Sequence, residues 1–95
     1  MELEFSNQMI EWRGPAPFYY VPVPQDLSDQ IRQTAKLVSY GWGVIPVKVT
    51  IGRTDFTTSL FPKDGIYLVP IKNAVRLPEK LALGQSIDVT LEVNL

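Results

Sequence analysis

Arg53, Thr57, Ser59, Lys72 and Arg76 have the types and spacing to hold an anion. Thr57 and Ser59 are two apart in "FTTSLF" (56–61), so an extended strand turns both hydroxyls to one face. Lys72 and Arg76 follow the apolar run "IYLVPI" (66–71). An ammonium, a guanidinium and hydroxyls together make charge-assisted hydrogen bonds to a phosphate or carboxylate. Lys63 completes the basic set. If "FTTSLF" and "IYLVPI" form a hairpin, Lys63 sits at its tip, with Arg53 and Lys72 toward the other end. Trp42 lies between Gly41 and Gly43, where a tryptophan on a loop can cover a pocket. The plainer reading makes the hydroxyls solvent-facing strand residues, the charges solubilising, and Trp42 a plug over one barrel end. The anion reading demands that these groups converge on a concavity.

The aromatic set Trp12, Phe18, Tyr19, Tyr20, Tyr40 and Trp42 stands beside basic residues, a pattern that can stack on planar ligands. A small barrel also needs large core side chains, and most of these aromatics are expected there.

Other chemistry is thinly provided for. The chain has no cysteine and no histidine, which removes disulfides, thiol nucleophiles, Cys/His zinc sites and histidine bases together. The acids Asp26, Asp29, Asp55, Asp64, Glu79, Asp88 and Glu92 are scattered. Asp26 or Ser28 suits a helix cap and Asp64 a turn. Only a pair brought together by folding, such as Glu11 with Glu92, would restore acid–base chemistry. The expectation is no catalytic residue, no metal and no cofactor. Ten acids against nine bases give a net charge of -1, against the basic excess of nucleic-acid binders. "MELEFSNQMIEW" lacks the basic start and apolar run of a signal peptide. No apolar run approaches the ~18 residues of a membrane span. The expected location is the cytoplasm.

The elements that must position these groups are short. Eight prolines and six glycines in 95 residues favour many strands over long helices. Strand segments are expected at 3–5, 9–13, 18–23, 44–52, 56–61, 66–71 and 86–93. "PQDLSDQIRQTAKLV" (24–38) predicts the one clear helix, with Leu27, Ile31, Ala35 and Val38 at helical spacing. "GPAP" (14–17), "RTD" (53–55) and "PKDG" (62–65) predict turns, "YGWG" (40–43) ends the helix, and 74–84 reads as a short helical turn or loop. Pro22 removes a donor, so its strand is expected to be an edge or bulged near its end.

A shift of 48 residues lays "FYYVPV" (18–23) on "IYLVPI" (66–71), matching Tyr19, Val21 and Pro22 with Tyr67, Val69 and Pro70. The same shift lays "MIEWR" (9–13) on "TTSLF" (57–61) and "GPAP" on "PKDG". Downstream, "VIPVKVTI" (44–51) corresponds to "SIDVTLEV" (86–93), with about six residues fewer in between. Self-similarity of this kind predicts one domain over 1–95 with pseudo-repeat halves of about 1–48 and 49–95.

"WRGPAPFYYVPVP", "WGVIPVKVTIG" and "TSLFPKDGIYLVPIKNAVR" together resemble the bacterial domain-of-unknown-function family nineteen-oh-five, over nearly the whole chain. The resemblance implies a small β-barrel. Some members are fused ahead of a YdeI/OmpD-associated, bacteriocin-protection domain, which this sequence is expected to lack. In architecture the halves also resemble the half-barrels of AbrB/MazE-type proteins. The expected fold is mainly β: a closed or partly open barrel of six to seven strands with one or two short helices. The expected function is a non-catalytic binding or interaction module. The first alternative is a small-molecule or anion site of Trp42, Arg53, Thr57, Ser59, Lys72 and Arg76. The second, nucleic-acid binding, is disfavoured by the charge. An unknown protein or a small anionic ligand is the expected partner, with no membrane.

Overall fold

The computed structural model describes residues 1–12, 18–37 and 45–93. The expected turn at 14–17, the helix end at 40–43, Tyr40 and Trp42 lie outside the described residues. The strands are β1 (Glu2–Gln8), β2 (Ile10–Trp12), β3 (Phe18–Pro22), β4 (Ile45–Ile51), β5 (Thr54–Lys63), β6 (Ile66–Ile71) and β7 (Ser86–Val93). Helix α1 (Gln25–Leu37) follows β3, and the single turn α2 (Asn73–Arg76) follows β6. The sheet is antiparallel in the order β1-β7-β4-β5-β6-β3-β2.

Two ladders make up this half-barrel; the chain runs directly from the first into the second at two points and returns through α1 and through α2. The first half of β5 pairs with β4, Ile45 opposite Leu60, and its end pairs with β6, Phe61 opposite Leu68. Only Met9 separates β1, which pairs with β7, from β2, which pairs with β3. Both prolines of the matching strands sit where this shift leaves a neighbour unpaired. Pro70 lies beyond the β5–β6 pairing and Pro22 beyond the β2–β3 pairing, so neither removes a needed ladder donor.

Pairing places related positions opposite one another. β3 and β6 meet with Val21 opposite Val69, residues 48 apart. β4 and β7 meet with Val49 opposite Leu91, 42 apart. At the level of register, a half-turn exchanges β3 with β6 and β4 with β7. The 48-residue shift does not extend to the preceding strands. Ile10 faces Tyr20 as Phe61 faces Leu68, so those equivalents are 51 apart.

Alternation sends Val47, Val49, Ile51, Val69, Ile71, Ile87, Val89 and Leu91 to one side of the sheet, where all are buried. Ile31 and Ala35 of α1 close over that side, with Leu27 partly buried against it. Ser28 fixes the helix. Its hydroxyl donates to the Val23 carbonyl and accepts from the Tyr67 amide, both at 3.1 Å. Ser28 is therefore a buried tie and not a cap. Asp26 does not cap either: the Ser28 amide bonds the Pro24 carbonyl, putting Asp26 in the first turn, where its charge favours the helix dipole.

Two turns differ from expectation. Pro62 and Lys63 belong to β5, and the connection is Asp64–Gly65 alone, both at positive φ (50° and 85°). Asp-Gly is the pair that a two-residue type I′ hairpin selects. Pro62 is tolerated because β4 pairs no further than Leu60. The β4–β5 connection is Gly52–Arg53, and Asp55 is already in β5, opposite Thr50.

Candidate functional site

The outward side of the sheet divides into two unlike halves. On β1, β7, β4 and the start of β5 it carries Glu2, Glu4, Ser6, Asp88, Thr90, Glu92, Lys48, Thr50, Asp55 and Thr57. These face one another in register: Glu92 opposite Lys48, Lys48 opposite Thr57, Thr50 opposite Asp55. Thr50 donates to Asp55 at 2.8 Å, and Ser6 donates to Asp88. Five carboxylates stand there against one lysine.

On β2, β3, β6 and the end of β5, the same side is apolar. Phe18 is 58% exposed, Phe61 51%, Trp12 41% and Ile10 40%. Tyr20, Pro22, Ile66 and Pro70 lie among them, half-buried. Leu68 is almost fully buried on this side, apart from the main core cluster. The expectation of an aromatic core holds only in part: Tyr19 packs against the core with Phe5 and Phe56, whereas Trp12 and Phe18 are exposed and Tyr20 faces outward. Tyr67 is the one aromatic among the buried described residues, and β-branched side chains and leucines fill the interior. Parity within "FYYVPV" was the available signal. Tyr19, Val21 and Val23 must share a face, which sends Phe18 and Tyr20 to the other.

Two grooves mark this apolar half. One, of about 360 Å³, is lined by Phe18, Tyr19, Tyr20, Pro70 and Ile71, with Lys72 and Asn73 at its end. The other, of about 170 Å³, is lined by Ile66, Leu68, Pro22 and Trp12, with Lys63 and Asp64 at its end. The Lys63 ammonium lies over the Trp12 ring, a cation–π contact. Beside the larger groove, the Arg76 guanidinium stacks 4.6 Å from the centre of the Tyr19 ring. It also donates to Asn73 Oδ1 from Nε and Nη2, at 3.3 and 3.1 Å.

The proposed anion set is only partly assembled. Lys72 and Arg76 flank the larger groove. Thr57 and Ser59 point outward from β5 opposite Lys48 and Pro46, on the polar half. Arg53 occupies the exposed turn after β4, beside Gly52, where any side chain would run into the Glu79 carboxylate. Neither of the two grooves on the apolar half has any of these three in its lining. Trp42 lies outside the described residues. Glu11 and Glu92 do not meet across a ladder: Glu11 faces Tyr19 and Glu92 faces Glu2 and Lys48. Among the described residues no three metal-ligating side chains cluster.

The family model of DUF1905, described as a domain of unknown function, matches residues 5–91. The chain belongs to that family. No curated protein matches it.

Proposed function

We propose that this DUF1905 chain is a non-catalytic binding module that engages a partner protein through the apolar half of its outward sheet face. The observation that carries the reading is the grouping of Trp12, Ile10 and Phe18 on the adjoining strands β2 and β3, with Phe61 on β5 across β6, each at least 40% exposed. Contiguous exposed apolar surface of this kind marks interaction sites, whereas scattered apolar residues do not. Aromatics are also the residues that anchor interfaces.

A small-anion site is the second reading. It is supported by Lys72 and Arg76 at the larger groove, and it drops Arg53, Thr57 and Ser59. Nucleic-acid binding finds less support, because the other half of the face is acidic and would repel phosphates. The same reading takes the domain to be bacterial and cytoplasmic. Among the described residues no helix is long and apolar enough to cross a membrane. It also takes the two halves to descend from one duplicated unit, a view favoured by the Val21–Val69 register.

Photo-crosslinking tests the surface. A benzophenone amino acid replaces Phe18 in one variant and Thr57 in another, in the cell of origin. The expected result is a discrete adduct with another protein from position 18 and none from position 57. Equal labelling from both positions, no adduct, or an adduct of the chain with itself overturns the proposal.

A further inference from the structure

We infer that the apolar face takes a short acidic segment of a partner protein, which seats two apolar side chains in the two grooves and sets a carboxylate against Lys72. This rests on the binding-module reading and specifies the occupant. Three observations lead to it.

The first is size. The face spans three strand spacings of about 4.8 Å and some six residues at about 3.3 Å, roughly 300 Å². A stable dimer interface needs about 800 Å² from each partner, so a second copy of this chain would be held too weakly by this face alone. A segment of several residues fits it.

The second is the relation between the grooves. Phe18, Tyr20 and Pro70 line one. The register that sets Val21 opposite Val69 carries those positions to Ile66, Leu68 and Pro22, which line the other. Each groove thus has two alternate residues of one strand and a proline of its neighbour in its wall, completed by Tyr19 and Ile71 in the first and by Ile10 and Trp12 in the second. Proline gives a flat ring and no backbone donor at that point, leaving an apolar floor. Two neighbouring depressions that share this part of their walls, one about twice the volume of the other, suit two apolar side chains of unequal size on one extended chain.

The third is charge. Lys72 is exposed and, among the described residues, makes no ion pair. Arg76 stands nearby on Tyr19, and Lys63 lies at the far groove. On the polar half five carboxylates face solvent against one lysine. An acidic segment is repelled from that half and drawn to this one.

The test uses the full chain as bait for a random dodecapeptide library displayed on phage. The enriched peptides are expected to carry two apolar residues with at least one Asp or Glu. A synthetic copy of the leading peptide is then titrated by calorimetry. Lys72→Glu and, separately, Lys72→Gln are expected to weaken its binding by about tenfold or more, the loss expected of one hydrogen bond to a charged group. Phe18→Ser is expected to do likewise, and Thr57→Ala to leave affinity unchanged. Melting curves establish that each variant is folded. No enrichment, enrichment of basic or purely polar sequences, or indifference to both Lys72 variants overturns the inference. If position 18 still crosslinks to another protein, the binding face stands and only the acidic-segment chemistry falls. If that adduct is also absent, both fall.

Discussion

The two ladders of this sheet share one core but are built to different standards. The ladder of β1, β7, β4 and the first part of β5 has pairings seven, four and seven residues long. The ladder of β2, β3, β6 and the end of β5 has pairings of three, four and three. Long ladders leave the outward side free to be polar, because the backbone and the core hold the strands. The short ladder draws on extra ties: the Ser28 hydroxyl on Tyr67 and Val23, the Asn7 amide on the Pro22 carbonyl at 3.0 Å, and Gln25 and Arg32 donating to the Gly65 carbonyl. Its exposed aromatics do not deepen the core. Surface of that kind, on the less heavily paired ladder, is what the proposed binding role would use.

The comparison breaks most sharply on two leucines. Leu91 is fully buried in the core, and Leu68 is nearly so on the outward side. Leu91→Ala is expected to lose about 3–5 kcal/mol in urea unfolding, and Leu68→Ala about 2 kcal/mol, since the outer site can collapse toward solvent. Equal losses would mean that the apolar half is a second core and not a docking face. Ser28→Ala comes next. It strands a buried amide and carbonyl, and about 2 kcal/mol should go, with the short ladder loosening first. An unchanged midpoint would show that α1 is held by Ile31 and Ala35 alone. Hydrogen exchange sharpens the contrast without mutation. Amides of β2 and β6 should exchange at least about tenfold faster than those of Val49 and Leu91, roughly 1.4 kcal/mol in opening free energy. Uniform protection would erase the distinction between the ladders. The smallest effects belong to the outward side itself. Phe18→Ser and Thr57→Ala should each alter stability by no more than about 0.5 kcal/mol, and a larger loss at Phe18 would give it a structural role.

Much of the architecture was legible where alternation and turn chemistry agreed. β6 and β7 have the bounds that "IYLVPI" and "SIDVTLEV" suggest, and α1 follows the Leu27, Ile31, Ala35 stripe. β1 is longer than its apolar residues imply, because Leu3 and Phe5 supply the inward side while Glu2, Glu4 and Ser6 are an ordinary outward side. β5 reads as ending at Phe61 because Pro62 looks like a stop, and it continues because β4, which begins at Ile45 opposite Leu60, asks no donor of Pro62. The site was harder. Arg53, Thr57 and Ser59 look like neighbours of Lys72 if β5 and β6 form one long hairpin. In fact β5 leaves β6 after three residues and pairs with β4, carrying both hydroxyls to the other half. Such a crossing depends on contacts between distant strands, which no local pattern encodes.

The near-symmetry of the two grooves has a consequence for polarity. An extended chain turned end for end offers its anchoring side chains to the same pair of depressions, so two opposite directions of threading compete. What separates them is unlike furniture at the two ends: Lys72 and Arg76 beyond one groove, Lys63 on Trp12 with Asp64 beyond the other. A difference of about 1.4 kcal/mol between those ends commits nine bound chains in ten to a single direction. Removing the lysine that supplies that difference would therefore leave the proposed segment to thread both ways about equally, with weaker binding in each.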